Sequence, residues 1–135
     1  MAFNKFSSFV ENLAEKKYNL GADQLKVALI ATAPTAGMVA LSEITEVSYT
    51  NCSTRNITTS TSAQTSGTYK LVLADLVLTA SGGTVGPFRY VVVYDSTATS
   101  FELIGWQDYG GNLTLQDGDT LTINFDGTNG FLQLA

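Results

Sequence analysis

Apolar residues recur at spacings of three and four at the start of the chain and at spacings of two through most of the remainder. Phe3, Phe6, Phe9, Val10 and Leu13, extended by Lys17, trace one stripe, with Lys5, Ser8, Glu11, Asn12, Glu15 and Lys16 elsewhere. That spacing predicts an amphipathic helix over residues 3–18. Asn4 is placed to cap its start and Gly21 to stop it. Phe3, Phe6, Phe9 and Leu13 are the candidate contact residues, either for packing on the chain's own core or for docking as an arm on a neighbour. The short link 19–22 keeps the helix near its own sheet and favours self-packing.

From Gly21 onward the period is two. Leu25, Val27 and Leu29 alternate with Lys26 and Ala28, predicting a strand over 24–31, followed by a loop from Thr32 to Gly37 and a short helical turn at Ser42-Glu43-Ile44. Residues 48–68 hold 12 Ser or Thr in 21 positions. Thr is a β-branched strand former, so this run predicts one or two solvent-facing strands rather than disorder. Tyr69–Leu73 and Leu76–Ala80 read as one strand bent near Asp75. Phe88 to Tyr94 is apolar on both faces apart from Arg89, the pattern of a central, doubly covered strand. A strand from Leu103 towards Tyr109 is expected to turn at Gly110-Gly111 into a short strand at Leu113–Leu115. Leu121, Ile123 and Phe125 form another, and the loop Asp126–Gly130 returns Phe131–Leu134 as its hairpin partner. Short strands with regular turn signals predict a mainly β fold, a jelly-roll or Greek-key-like β-sandwich with one N-terminal α-helix. Residues 1–135 read as a single domain, with the helix in 1–20 and the sandwich in 21–135.

Composition narrows the chemistry. At 135 residues the chain can bury about two-thirds of its unfolded surface and needs no disulfide or metal to hold a core. Charged residues are only 14%, well below the usual quarter, and 29 Ser and Thr supply the polar surface instead. Seven cations against twelve carboxylates, a net charge of −5, argue against nucleic acid and against an anionic membrane as partners. No stretch approaches the length of a membrane span. Residues 1–12 lack a continuous apolar run and do not read as a signal peptide. The chain has no histidine, which removes the common triads, the usual general base and most zinc sites. No enzyme activity, cofactor or metal is expected.

The candidate motifs are weak. Gly82-Gly83-Thr84-Val85-Gly86 precedes Pro87 and a strand, whereas a phosphate loop must open a helix. Asp117-Gly118-Asp119 and the Asp126–Gly130 run lack the spacing and closing Glu of a calcium loop and read as turns. Glu102 and Asp108 would share a face of a regular strand about 20 Å apart, too far for paired-carboxylate hydrolysis. Cys52 has no adjoining His or cation cluster and reads as a small half-buried residue. Asn51-Cys52-Ser53, Asn56-Ile57-Thr58 and Asn112-Leu113-Thr114 are chance glycosylation triplets in a Thr-rich chain. Tyr90, Tyr94, Trp106 and Tyr109 could form a sugar-binding patch, with core packing the simpler role.

The segments DQLKVAL (23–29) and SEITE (42–46) resemble a family of small structural proteins of tailed phages and prophages. So do the blocks SAQTSGTYKLVLADLVLTASGGTVGPFRYVVVYD (62–95) and LIGWQDYGGNLTLQDGDTLTINFDGTNG (103–130). These blocks hold no catalytic motif, and no functional residue carries over. The resemblance implies a virion component, first of all a head decoration (cement) protein that binds the major capsid protein lattice. Its expected location is the capsid surface, and the host cytoplasm during assembly. A homo-oligomer is implied by analogy, a trimer ahead of a dimer, because head lattices offer threefold and twofold positions. The alternatives are a tail, neck or fibre-associated virion protein, or a carbohydrate-binding β-sandwich module.

Overall fold

The computed structural model describes residues 3–135. In chain order its elements are β1 (Asn4–Lys5), α1 (Ser8–Ala14), β2 (Leu25–Ile30), β3 (Thr59–Thr65), β4 (Thr68–Leu73), β5 (Leu76–Thr79), β6 (Val85–Asp95), β7 (Leu103–Leu115), β8 (Thr120–Ile123) and β9 (Leu132–Leu134). A 3-10 turn spans Leu41–Glu43. The fold is mainly β, a β-sandwich of antiparallel sheets with one α-helix.

β6 lies between β2 and β7 in a four-stranded sheet of order β1-β7-β6-β2. Val91, Val92 and Val93 are all buried, because both faces of this strand are covered. On one face Val91 and Val93 join Leu25, Val27, Leu29 and Ile104 in the main core. Opposite them stand Leu71 and Leu73 of the sheet β3-β4-β9, and Leu76, Leu78 and Ile123 of the pair β5-β8. On the other face Val92, Tyr94, Ala28 and Ile30 are covered by Met38, Leu41, Ile44 and Phe6.

Open sheet edges invite unwanted pairing, and the edge of β2 is covered by its own chain. Val27 donates its N–H to Arg55 O, Ile57 to Leu25 O, and Val47 to Leu29 O. A side-chain clasp holds this strap in place. The Arg55 guanidinium lies 3.6 Å above the Tyr49 ring and donates to Val27 O at 2.7 Å. The Tyr49 hydroxyl donates to Glu46 and accepts the Leu29 N–H.

Several expectations need correction. The helix spans Ser8–Ala14 rather than 3–18 or 1–20, and residues 1–2 lie outside the described residues. Asn4 belongs to a strand, and Ser7 occupies the N-cap. The three- and four-residue spacing from Phe3 is produced by an extended segment followed by a short helix. Tyr69–Leu73 and Leu76–Ala80 are not one bent strand; β4 and β5 pair with different partners and reach the same core from different sheets. The chain does not reverse at Gly110-Gly111. β7 continues to Leu115 and stays paired with β6, with Gly110 at φ +99° and the register shifted along the pair. Phe131–Leu134 does not pair back onto β8; β9 lies beside β4 instead.

Candidate functional site

The N-terminal segment and the last strand meet at an open cleft of about 280 Å³. β1 forms one wall by pairing with β7, Asn4 opposite Trp106 and Lys5 opposite Gly105. A glycine is needed there: a Cβ on Gly105 would lie 2.8 Å from Asn4 O. Ile104 and Gly105 of β7 form part of the lining, α1 contributes Phe9, Val10 and Leu13, and β9 supplies the opposite wall. Val10 is 55% exposed and Leu134 42% exposed, and both line the cleft.

The four candidate contact residues do not form one stripe. Phe3 is half-buried, its ring centroid 5.6 Å from Phe125 and 4.7 Å from Phe131. Phe6 is fully buried on the opposite face of the four-stranded sheet, against Trp106. Phe9 is buried beside Tyr18, with ring centroids 5.4 Å apart. Leu13 is half-buried against the main core. The segment therefore wraps the edge of β7 and places successive phenylalanines on alternate faces. Below α1, the Tyr18 hydroxyl donates to Leu103 O at 2.7 Å and accepts from Asn12. Burial above all pushes that hydroxyl up to about 12.

The other motifs sort by their partners. The Asp117 carboxylate accepts the Gly82 N–H, and Asp119 accepts that of Gln116. Asp126 accepts the N–H groups of Thr128 and Asn129. These carboxylates tie turns together. Among the described residues no group of three His, Cys, Asp or Glu side chains is arranged to hold a metal ion. Glu102 and Asp108 do not share equivalent positions on one regular face, since the register shift between Val93 and Tyr94 interrupts the alternation. Glu102 is buried, whereas Asp108 forms a two-pronged pair with Arg89 at 2.8 and 3.0 Å. Arg89 holds the Asp108 carboxyl below its ordinary value. Three of the four aromatics share one face of the four-stranded sheet, where Tyr94 is buried in the second core cluster and Tyr90 and Trp106 pack against it, Trp106 on Phe6; Tyr109 alone of the four is exposed. Cys52 is half-buried, and burial pushes its thiol up.

The helical spacing points to one wall of the cleft and not to the other. Phe131, Leu132 and Leu134 read as half of a hairpin, and only the pairing of β9 with β4 brings them opposite α1. No protein-family model matches the chain. No curated protein and no solved structure matches it either.

Proposed function

We propose that the chain is a structural virion protein of a tailed bacteriophage, a head decoration (cement) protein that binds the major capsid protein lattice as a homo-oligomer. The observation that carries this reading is the cleft between α1 and β9, with Val10 and Leu134 exposed along it. Exposed apolar side chains grouped along a cleft offer a partner a surface to cover. The likeness of residues 62–95 and 103–130 to virion proteins supplies the kind of partner. Many copies on one lattice allow each contact to be modest.

The test is co-sedimentation of the purified chain with heads and, separately, with tails of the phage whose genome encodes it. Saturable binding to heads, weakened by Val10→Asp and Leu134→Asp at unchanged melting temperature, is the expected result. Binding to tails alone assigns the chain to a tail or neck instead. Binding to neither overturns the virion reading.

A further inference from the structure

The end of β6 holds a carboxyl group with one oxygen that no donor meets. Asp95 is fully buried. Its Oδ1 accepts the backbone N–H groups of Thr97 at 2.9 Å and Ala98 at 3.1 Å. Its Oδ2 is buried without an N–H or O–H donor. A second carboxyl, that of Asp23, lies alongside, because Leu25 stands opposite Asp95 in the sheet and Gln24 is bonded to Ser96 and Thr97. Asp23 is itself anchored, its Oδ2 accepting the Asn19 N–H at 2.8 Å. Two ionised carboxylates in contact repel, whereas a carboxyl and a carboxylate sharing a proton form a strong hydrogen bond.

The surroundings offer little compensation for a second negative charge. From the β7 side comes Glu102, whose Oε2 is also buried without a donor. Tyr18 lies within the electrostatic reach of both Asp95 and Glu102. Glu15, Lys16 and Lys17 line an open polar cleft with Asp23 and Thr97. The ion pairs among the described residues are Arg55–Glu46 and Arg89–Asp108, so neither lysine forms one with the two aspartates.

We propose that Asp23 and Asp95 share one proton and act as a latch between the segment that follows α1 and the turn from β6 to β7, a latch that loosens when the proton leaves. Neighbouring bonds tie the two segments to each other. Gln24 donates its N–H to Thr97 Oγ1 at 2.9 Å, and its carbonyl accepts both the N–H and the hydroxyl of Ser96. The same segment carries the chain from α1 into β2, so the latch governs how firmly α1, one wall of the apolar cleft, is held.

Burial, and then Asp23, raise the Asp95 carboxyl from 3.8 to about 7. The folded chain thus keeps a proton that the unfolded chain has released. The latch contributes fully below the unfolded value, and its contribution is lost as pH rises through about 7. That places the transition within the physiological range.

The experiment measures thermal melting of the full chain at about pH 5 and about pH 8, where carboxyls of ordinary pKa are ionised in both samples. Wild type is compared with Asp95→Asn and Asp23→Asn, with amide exchange followed over residues 15–24 and 95–101. Wild type is expected to melt several degrees lower at the higher pH, with exchange rising first in those two segments. Asp95→Asn puts an amide N–H in place of the shared proton and removes the buried group that titrates, so its melting temperature is expected to stay level; in Asp23→Asn burial still holds Asp95 up, and the fall is expected to shrink without vanishing. The Asp95 carboxyl carbon, followed by NMR in wild type, is expected to titrate with a midpoint near 7. A level wild-type melting temperature, a fall in either variant as large as in wild type, or a midpoint in the ordinary carboxyl range each overturns the latch.

Discussion

Phe6 and Phe9, three residues apart, lie on opposite faces of the four-stranded sheet: Phe6 against Trp106 with ring centroids 4.6 Å apart, Phe9 in the main core beside Tyr18. A regular helix would place these positions on one side. Here the chain is extended up to Phe6 and helical only from Ser8, so it passes around β7 and grips it from both faces.

The first prediction concerns that grip. Phe6→Ala removes a fully buried ring and is expected to cost about 3–5 kcal/mol of stability. Val10→Ala, on the exposed side of α1, is expected to change stability by less than about 0.5 kcal/mol. Denaturant unfolding measures both, and equal effects would count against the alternating placement.

The second concerns the close approach of β1 to β7. In Gly105→Ala the new methyl group would meet Asn4 O at 2.8 Å, so β1 must move away. The Phe6 N–H, which donates to Ile104 O at 3.1 Å, is expected to exchange faster than in wild type while the core of β6 stays protected. Site-resolved hydrogen exchange checks this, and uniform exchange across β6 and β1 would contradict it.

The third concerns the acid limb of stability. Backbone N–H groups of Ala40 and Val39 hold the Glu43 carboxyl below its ordinary value. The Arg89 guanidinium does the same for Asp108, and Asn129 does so for Asp126. A group held low contributes stability that is present above its unfolded value and lost as pH falls through its folded value. Melting temperature is therefore expected to drop as pH falls below about 4, with a shallower drop in Glu43→Gln. Together with the Asp23–Asp95 latch, this puts the stability maximum on the acid side of neutrality.

The fourth concerns Cys52. Thiolate is the reactive form of cysteine, and burial disfavours it here despite the opposing influence of Arg55. Cys52 is expected to react with a thiol reagent at neutral pH more slowly than free cysteine. A faster reaction would show an activated thiol and contradict the packing described for it.

Much of this architecture is legible in the chain because burial leaves a periodic trace. Leu25–Ile30 and the doubly covered run ending at Tyr94 are readable, since each inward position must be apolar. The pairing of β9 with β4 is not, because Leu132 and Leu134 carry the same alternation whichever strand they join. The N-terminal segment misleads for a physical reason: three phenylalanines at helical spacing also satisfy an extended chain that turns around an edge. The Asp23–Asp95 contact joins residues 72 apart and leaves no local pattern, so only the folded chain reveals it.

A cryo-EM map of the intact virion produced by the encoding genome is the sharpest test of the proposed role as a decoration protein on a phage head. Density for the sandwich is expected on the outer surface of the head, at threefold or twofold positions of the lattice, with the α1–β9 cleft against a neighbouring subunit. Density for the chain in the tail, or heads that carry none of it, would rule that role out.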